Sequence, residues 1–455
     1  MLEAHTYPGG SAGTFTHKGY RFDAGATLAG GFSSGGIMEN FARRFDIDWG
    51  AFPTSKAMQV HLQDNLHITY WTDLELWREE RINQFSPVGE SFWKWQEHTA
   101  EALWAFVQRL PAWPPQTFGE VVKLLSTGID WIQDSGIPKP WDKLLNLSVD
   151  AVRPVATHLI HVPDSLRLFL DAQLMISAQT TSQSANALYG AAALDLDRQG
   201  VAHVAGGMGS MAEKLVQVIS RNGGEVHFRQ QVLKVSKLKS SYFQVETKRK
   251  DIFHADVIVF NLPPWNILPL LDGAVPSRLR YMSPRPRDGW GAFVAFLGLG
   301  AKGINEEMAL HHQVIRRRPL GEGNSIFMSL SPAWDKSRAP AGRRVLTIST
   351  HTALDPWWEL YQENETTYEI RKSQYLERLL AGARRVLPDL DDRIELTLPG
   401  TPETFQRFTR RAWGWVAFHK PISFALGDRA LLKGCGSLEI QYSRVNLYQL
   451  SCWVV

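Results

Sequence analysis

Residues 206–235 carry the clearest local pattern in this chain of 455 residues. Ser210, followed three residues later by Glu213, forms a capping box and predicts the start of a helix. Two glycines at 223–224 predict the end of that helix, because glycine adopts a left-handed conformation without strain. Apolar residues then alternate with polar ones at 226–228 and predict a strand. A helix, a turn and a strand in this order indicate a mixed α/β fold.

The segments that follow are predicted to continue as strands. "VLKV" at 232–235 and "YFQVETK" at 242–248 predict an antiparallel pair. Four consecutive apolar residues at 257–260, ending at Asn261 and a double proline, predict a strand that is buried on both faces, as in a parallel sheet with a βα crossover. Similar patterns predict three further elements: strands at 288–300 and 344–351, and a helix at 366–387. The sequence therefore predicts both parallel and antiparallel strand pairs.

Residues 37–200 are predicted to be mostly helical, with prolines that interrupt the helices. Eight of the 17 tryptophans lie at 71–141, and Trp93, Trp104 and Trp113 occupy apolar positions at helical spacing. Core packing is the ordinary explanation, because large aromatic side chains dominate buried area. A wide apolar cavity or a face that docks on a membrane is the alternative, because tryptophan favours the bilayer interface.

Composition excludes several classes of protein. The 49 Lys and Arg residues against 46 Asp and Glu residues give a net charge of +3, and the basic residues are scattered, which argues against a nucleic-acid surface. Cys435 and Cys452 fall near the end of the chain, so they supply neither a disulfide framework nor a metal site. We find no cleavable signal pattern and no apolar run long enough to span a bilayer, and we expect a soluble or peripheral protein.

The first residues have a pattern that is typical of a nucleotide-binding site. Glu3 follows an apolar residue and precedes a Pro-Gly-Gly turn, and dinucleotide-binding folds place such a carboxylate at the end of a strand to accept the ribose hydroxyls. Gly9, Gly10 and Ser11 would let backbone N–H groups approach a pyrophosphate. Taken alone, the glutamate is better explained as a solvated charge and the glycines as an ordinary turn.

Five segments of the sequence resemble the FAD-dependent carotenoid desaturases and isomerases, which are related to the amine oxidases. The similarity spans roughly residues 1–416. Two further segments, at 321–358 and 398–415, favour the cyanobacterial subgroup that desaturates the 3',4' bond of a monocyclic carotenoid. The segments that carry the resemblance are Glu3 with Pro8–Ser11, "GYRFDAGAT" (19–27), "ISAQTTSQSANALYGAAALD" (176–195), "VAGGMGSMAEKLVQVISRNGGEV" (204–226) and "ADVIVFNLPPW" (255–265).

The resemblance implies a Rossmann-like FAD-binding domain, incomplete at its N-terminus, interleaved with a mixed-sheet and helical substrate domain. The implied domain limits are 1–36 with 200–270 for FAD, 37–199 with 271–410 for the substrate, and an atypical tail at 411–455. The resemblance also assigns the cofactor contacts: Glu3 to the ribose, Gly9, Gly10 and Ser11 to the pyrophosphate, Val232 to the adenine, Asp23 and Gly25 to the flavin ring and Asn261 to the cofactor's edge.

No catalytic side chain is assigned, because in such chemistry the flavin accepts the hydride and the protein supplies orientation and a dry pocket. The histidines that could carry protons are interpreted as surface or core residues: His203, His311, His312, His351 and His419. The resemblance implies a hydrophobic polyene substrate, a cytoplasmic chain at a membrane surface and no nucleic-acid partner, and it leaves the electron acceptor open.

The sequence departs from the family pattern at both ends. A strand, a G-x-G-x-x-G turn and a helix precede the residue that corresponds to Glu3 in the family, and the pattern is lost again from about residue 417. We therefore expect this chain to bind FAD weakly or not at all. Cis-trans isomerisation, a non-catalytic escort for apolar ligands and an inactive product remain alternatives to desaturation.

Overall fold

The computed structural model describes residues 1–109, 118–134, 147–238, 242–272 and 289–418. Within these ranges the strands are β1 (Thr14–His17), β2 (Tyr20–Asp23), β3 (Ala51–Pro53), β4 (Lys56–His61), β5 (His67–Trp71), β6 (Ala202–Val204), β7 (Val232–Lys237), β8 (Phe243–Thr247), β9 (Ile252–Ala255), β10 (Leu271–Asp272), β11 (Gly289–Gly300), β12 (His311–Ile315), β13 (Ser325–Leu330), β14 (Arg343–Ala353), β15 (Ile394–Gly400) and β16 (Ala417–Phe418). The helices are α1 (Ile37–Phe45), α2 (Leu74–Phe85), α3 (Glu90–Gln108), α4 (Phe118–Asp134), α5 (Asp164–Ser177), α6 (Ala187–Ala193), α7 (Gly209–Arg221), α8 (Pro264–Ile267), α9 (Asp355–Glu363), α10 (Glu365–Ala383), α11 (Leu390–Arg393) and α12 (Pro402–Thr409). The mixed α/β class predicted from the sequence is confirmed.

An eight-stranded sheet forms the larger half of the described fold. Its order is β15-β11-β14-β13-β12-β4-β5, with β16 also paired to β11. β11 and β14 run antiparallel from Trp290 opposite Ala353 to Gly300 opposite Arg343, while β4 lies parallel to β12. β11 is apolar along almost its whole length and is largely buried, which suits a strand in the interior of a covered sheet. These strands and the helix α10 confirm the three elements predicted at 288–300, 344–351 and 366–387.

Two apolar clusters stabilise this half. In the first, Trp357 and Tyr375 meet at 5.0 Å between ring centroids and pack with the sheet residue Phe293. In the second, Trp93 packs with Phe169 and other aromatic side chains of α2, α3 and α5. Burying one such aromatic side chain contributes about 2–3 kcal/mol.

The tryptophans of the helical stretch are mainly core residues where their side chains are described. Trp77 and Trp93 are buried in the second cluster, so the core-packing interpretation is confirmed for both. Trp104 is half-buried, and Trp113 lies outside the described residues. The interpretation as a membrane-docking face stays a prediction.

A smaller unit holds the first residues of the chain. Its four-stranded sheet has the order β10-β7-β8-β9, and β7 and β8 form the antiparallel pair that the sequence predicts. Leu2 makes a parallel bridge with His227 and packs against the apolar cluster around Val235. The second residue of the chain is therefore part of this unit's core.

The predicted strand at 257–260 is wrong. The segment forms no strand in the structure, and the side chains of Val257 and Val259 are 72% and 83% exposed. Ile258 and Phe260 pack against the apolar cluster that includes Leu2. A strand needs a neighbour to accept its backbone hydrogen bonds, and no strand in the described ranges pairs with this segment.

The prediction that 37–200 is mostly helical is wrong for 51–71. This stretch forms β3, β4 and β5, and β4 and β5 join the large sheet. The physical reason lies in β5, "HITYW", where β-branched and aromatic residues favour a pleated strand, and where the buried Ile68 and Tyr70 alternate with more exposed neighbours. The pattern is typical of a half-buried strand.

The end of α7 is predicted correctly, and the helix begins at Gly209, one residue before the predicted Ser210. Gly223 has φ +79°, and Gly224 N–H donates to the Ile219 carbonyl at 2.9 Å, which is the expected glycine stop. At the other end no side-chain cap comes from within the helix. The predicted capping box is wrong, because the Glu213 carboxylate pairs with Arg21 at 3.2 Å instead.

Candidate functional site

Glu3 lies at the end of the short parallel pairing that Leu2 makes with His227. Its N–H donates to the His227 carbonyl at 2.9 Å, and its carbonyl accepts from Gln230 N–H at 2.8 Å. One carboxylate oxygen, Oε1, accepts from His5 N–H at 2.7 Å, and Glu3 itself is only half-buried. The backbone is therefore held by the neighbouring segment, and the assignment of this carboxylate to a ribose stays a prediction.

The glycines that follow form a tight turn next to the second predicted segment. Gly9 and Gly10 have φ +108° and +54°, a region that glycine enters without strain. A Cβ at Gly10 would meet no atom within 4 Å, whereas a Cβ at Gly25 would lie 2.8 Å from the Ser11 carbonyl oxygen. The turn is therefore open on one side, and on the other it packs tightly against the segment that contains Gly25.

Asp23 caps the helix α7 from outside its sequence. Its Oδ1 accepts from Thr14 Oγ1 at 2.6 Å and from Met208 N–H at 2.9 Å, and Thr14 Oγ1 in turn accepts from Gly209 N–H at 2.7 Å. Oδ2 accepts from Arg338 at 2.9 Å. Because both oxygens are occupied, this carboxylate holds the backbone in place, and the prediction that it lies by a flavin ring stays a prediction.

The loop between β13 and β14 clamps the glycine-rich turn before α7. Arg338 Nε donates to the Arg21 carbonyl at 3.0 Å, and Asp335 accepts from Gly206 N–H at 2.7 Å. Gly207 has φ +91°, and a Cβ there would lie 2.5 Å from Asp23 Oδ1 and 2.9 Å from Arg338 Nη1. Only glycine fits at this position, so the two halves of the fold meet at a closely packed polar joint.

A small cleft opens at this joint. One wall consists of residues from the segments 23–27, near the N-terminus, and 203–208, which precedes α7. The other wall consists of residues from β12, β13, β14 and the loop after β13. The polar lining residues are Asp23, Thr27, His203, His311, Ser329, Ser331, Arg338 and Thr347, and the apolar ones are Val204, Met208, Leu330 and Pro332. The cleft is therefore lined mainly by polar groups, and its volume of about 20 Å³ has room for about one water molecule,.

Two histidines stack inside the cleft. The rings of His203 and His311 are 5.0 Å apart and nearly parallel, and the ring of Phe327 is nearly parallel to that of His311 at 5.8 Å. His311 Nδ1 is 2.8 Å from Ser329 Oγ, while the Nε2 atoms of both histidines are buried without a hydrogen-bond partner. Sequence interpretation placed both among surface or core histidines and so missed them as cleft residues.

Burial keeps both imidazoles neutral near pH 7. It lowers the pKa of His203 to about 4, with a smaller contribution from the Arg338 charge. It also lowers the pKa of His311, helped by His203 and His312. A neutral imidazole has one lone pair that can accept a proton or a hydrogen bond.

The other candidate histidines point elsewhere. His312 bonds to His61 at 3.0 Å through Nδ1 and to the Ala309 carbonyl at 2.8 Å through Nε2. His351 Nε2 is 2.5 Å from Gln179 Oε1, and His419 lies outside the described residues. These contacts agree with the structural interpretation of His312 and His351.

The remaining predicted cofactor residues lie away from the cleft. Val232 begins β7 and packs in the cluster that contains Leu2, so it lies in the same unit as Glu3. Asn261 is exposed and follows the unpaired segment 257–260. The structure thus places Glu3 in the same unit as Val232. It separately places the turn at Gly9, Gly10 and Ser11 against Gly25. The roles assigned to these residues stay predictions.

No group of three or more His, Cys, Asp or Glu side chains in the described ranges is arranged to hold a metal ion. None of the described helices combines the length and apolarity needed to cross a membrane.

Comparison with proteins of known sequence identifies relatives along most of the chain. The chain is 24% identical over 428 residues to prolycopene isomerase 1, chloroplastic, of an Oncidium hybrid cultivar, covering 91% of this chain and 70% of the relative. It is 22% identical over 446 residues to the neurosporene-forming phytoene desaturase of Cereibacter sphaeroides, covering 91% of this chain and 79% of the relative.

Comparison with solved structures shows the fold. Wild-type putrescine oxidase bound to putrescine superposes with a TM-score of 0.56 at 14% identity, over 99% of this chain and 91% of that chain. Cyclohexylamine oxidase from Brevibacterium oxydans superposes with a TM-score of 0.53 at 12% identity, over 99% and 90%. The family model of flavin-containing amine oxidoreductases matches residues 1–420, and the chain belongs to that family.

Proposed function

We propose that the protein is an FAD-dependent oxidoreductase that desaturates a carotenoid, with the 3',4' bond as the site of reaction. The substrate class rests on the match of 91% of the chain to a phytoene desaturase and to prolycopene isomerases. The subgroup rests on the sequence resemblance of 321–358 and 398–415. FAD, when bound, supplies the acceptor for a hydride.

The placement of Glu3 is the observation that supports the cofactor most strongly. A carboxylate at the end of a parallel pairing suits the ribose of an adenine dinucleotide, and the open turn at Gly9, Gly10 and Ser11 would admit a pyrophosphate. Val232 would contact the adenine from the same unit. Gly25, packed on the Ser11 backbone, would continue this surface toward the flavin, with Asp23 holding the backbone beside it and Asn261 at the edge.

The helical part of the chain would receive the polyene. A polyene offers almost no hydrogen-bonding groups, so its binding depends on apolar area. The helices α2, α3 and α5 supply aromatic and aliphatic side chains, and Phe118 and Val122 on α4 are 83% and 49% exposed. We propose that α4 contacts the membrane surface in which the substrate is dissolved, with the protein on the cytoplasmic side.

Isomerisation is the second candidate function, because prolycopene isomerases are at least as similar to this chain as the desaturase is. Isomerisation rearranges a double bond and leaves the mass of the polyene unchanged. Desaturation removes two hydrogen atoms and extends the conjugated system. The two reactions are therefore separated by the mass and the absorbance of the product.

The test is to incubate the purified protein with excess FAD and liposomes that contain a monocyclic carotenoid. We expect a product lighter by two hydrogen atoms with absorbance shifted to longer wavelength. A product of unchanged mass with a different cis-trans pattern would replace desaturation by isomerisation. Polyene that is retained by the protein without any conversion would favour an apolar-ligand escort and refute both enzyme assignments.

A further inference from the structure

Three histidines at one edge of the large sheet form a chain of hydrogen bonds. His61 ends β4, His67 begins β5 and His312 lies on β12, and these strands are neighbours in the order β12-β4-β5. His61 Nδ1 is 2.8 Å from His67 Nδ1, and His61 Nε2 is 3.0 Å from His312 Nδ1. His61 and His312 are buried, whereas His67 is exposed. The chain therefore runs from the surface to the interior across three strands.

The inner end of the chain determines where each neutral ring carries its proton. His312 Nε2 is 2.8 Å from the Ala309 carbonyl oxygen, which can only accept, so Nε2 is the protonated nitrogen. His312 Nδ1 is then an acceptor, and His61 donates to it from Nε2. His61 Nδ1 is left as an acceptor, and His67 donates to it from Nδ1. One carbonyl group thus sets the tautomers of all three neutral rings.

The same count of donors and acceptors limits the chain to one added proton. A proton on Nε2 of the exposed His67 leaves every hydrogen bond in place. Shifts of the shared protons can then move the charge to His61 or to His312, and each link keeps one donor and one acceptor. A second proton on any ring sets two N–H groups against each other at one link. That link is then lost, because neither nitrogen retains a lone pair.

We propose that His67, His61 and His312 form a pH-sensitive latch, which ties β5 to the sheet with no or one bound proton and releases it when a second binds. β5 is the outermost strand at this edge of the sheet. It packs against α2, whose Trp77 belongs to the aromatic cluster around Trp93. This inference does not depend on the proposed function, because it involves neither the cofactor residues nor the cleft.

The surroundings disfavour a charge on the two inner rings. Burial lowers the pKa of His61 to about 3, and positive charge on His312, His67 and Arg385 adds to the effect. Burial also lowers the pKa of His312 to about 4, against the opposing hydrogen bond to Ala309. In the open state both rings return to the ordinary histidine value of about 6.5. Opening therefore takes up protons, and it becomes more favourable as the pH falls from 6.5 toward 4.

The neighbouring elements leave an added charge uncompensated. After α10, the group that acts on His61 is Arg385, which is a cation. On α2, the Glu80 carboxylate is already engaged by Thr69 N–H at 3.1 Å. Beside the chain on β12, burial lowers the pKa of His311, which is therefore neutral near pH 7. None of these three groups stabilises a second proton on the chain.

The first experiment measures the tautomers by nitrogen NMR of isotopically labelled histidines in the unsubstituted protein, with signals assigned from single substitutions. At about pH 8 we expect His67 to carry its proton on Nδ1, and His61 and His312 to carry theirs on Nε2. Water alone does not impose this tautomer on an exposed histidine. A His67 ring protonated on Nε2 instead of Nδ1 at this pH would overturn the inference.

His61→Phe keeps a ring at the centre of the chain and removes both of its nitrogen atoms. His67 should then lose its fixed tautomer, because its hydrogen-bond acceptor is gone. His98→Phe is the matched control, since His98 is exposed on α3 and bonds to the Lys94 carbonyl of its own helix. The control should leave His67 unchanged. A His67 tautomer that survives His61→Phe would show that the chain does not set it.

The second experiment tests the release of β5 by amide hydrogen exchange, expressed as protection relative to the unfolded chain. Between pH 6.5 and 5 we expect the protection of β5 to fall by at least about tenfold, because a one-proton linkage changes an equilibrium tenfold per pH unit. β9, an edge strand of the smaller sheet, should change by less than about threefold. Equal changes in β5 and β9 would refute the latch, and this comparison needs only the unsubstituted protein.

Discussion

Removal of the ion pair between Asp23 and Arg338 is the sharpest test of the claim that this pair joins the two halves of the fold. The side chains are 3% and 8% exposed, and Arg338 Nη2 lies 2.9 Å from Asp23 Oδ2. Arg338→Met removes the cation from a buried carboxylate, which costs about 3–5 kcal/mol. It also removes the hydrogen bond from Nε to the Arg21 carbonyl, worth about 1 kcal/mol. We expect the free energy of unfolding to fall by about 4–6 kcal/mol.

Urea unfolding followed by tryptophan fluorescence measures this loss. Arg343→Met is the control, because Arg343 and its partner Glu395 are 41% and 40% exposed and such a pair contributes less than about 1 kcal/mol. The double variant Asp23→Asn with Arg338→Met should recover about 2 kcal/mol, because it leaves no unpaired buried charge. A loss for Arg338→Met no greater than that of the control would refute the reasoning that this pair joins the two halves.

Two further predictions concern the same joint. The pKa of about 4 for His203, against about 6.5 in the unfolded chain, means that only the unfolded chain binds this proton between those values. The contribution of neutral His203 to the free energy of unfolding is therefore fully present above pH 6.5, and up to about 3 kcal/mol of it is lost toward pH 4. Urea unfolding at several pH values should show a smaller loss for His203→Gln. An equal loss in both proteins would contradict the lowered pKa of His203. Gly207→Ala places a Cβ 2.5 Å from Asp23 Oδ1 at φ +91° and should lower the free energy of unfolding by more than about 3 kcal/mol. Gly223→Ala is the control: it has open space around it and should cost about 1 kcal/mol. Similar losses for the two variants would show that the joint is not tightly packed.

Local patterns predicted the elements that depend on local sequence. The apolar run that becomes β11 and the helical spacing of α10 are visible without knowledge of any partner. The glycine stop of α7 at Gly223 is visible for the same reason, because it needs only the conformational freedom of that residue,. These elements were therefore predicted within a few residues of their observed ends.

Features that depend on distant partners were not predictable. The cap of α7 comes from Asp23, which lies 185 residues before Met208 in the chain, so the local pair Ser210 and Glu213 was misleading. The segment 257–260 has the composition of a buried strand, but pairing requires a neighbour and composition does not supply one. Both errors arise from inferring a tertiary contact from a local pattern.

The candidate site was predicted in part for the same reason. Glu3 and the glycines after it are adjacent in sequence, and their grouping with the segment of Gly25 follows the resemblance. The cleft needs His203, His311 and Arg338, which come from three separate parts of the chain. A histidine by itself carries no sequence signal that separates a core residue from a cleft residue.

The most direct test of the account is a flavin titration of the protein, measured by quenching of flavin fluorescence, with FAD and FMN compared. Charge-assisted hydrogen bonds from ribose hydroxyls to Glu3 are worth about 1.5–3 kcal/mol, so we predict that FAD binds at least about tenfold more tightly than FMN. Glu3→Ala should abolish that preference, whereas Glu225→Ala, which removes an exposed carboxylate from the neighbouring segment, should retain it. Equal affinity for FAD and FMN, or a preference that survives Glu3→Ala, would contradict the claim that Glu3 holds an adenine dinucleotide.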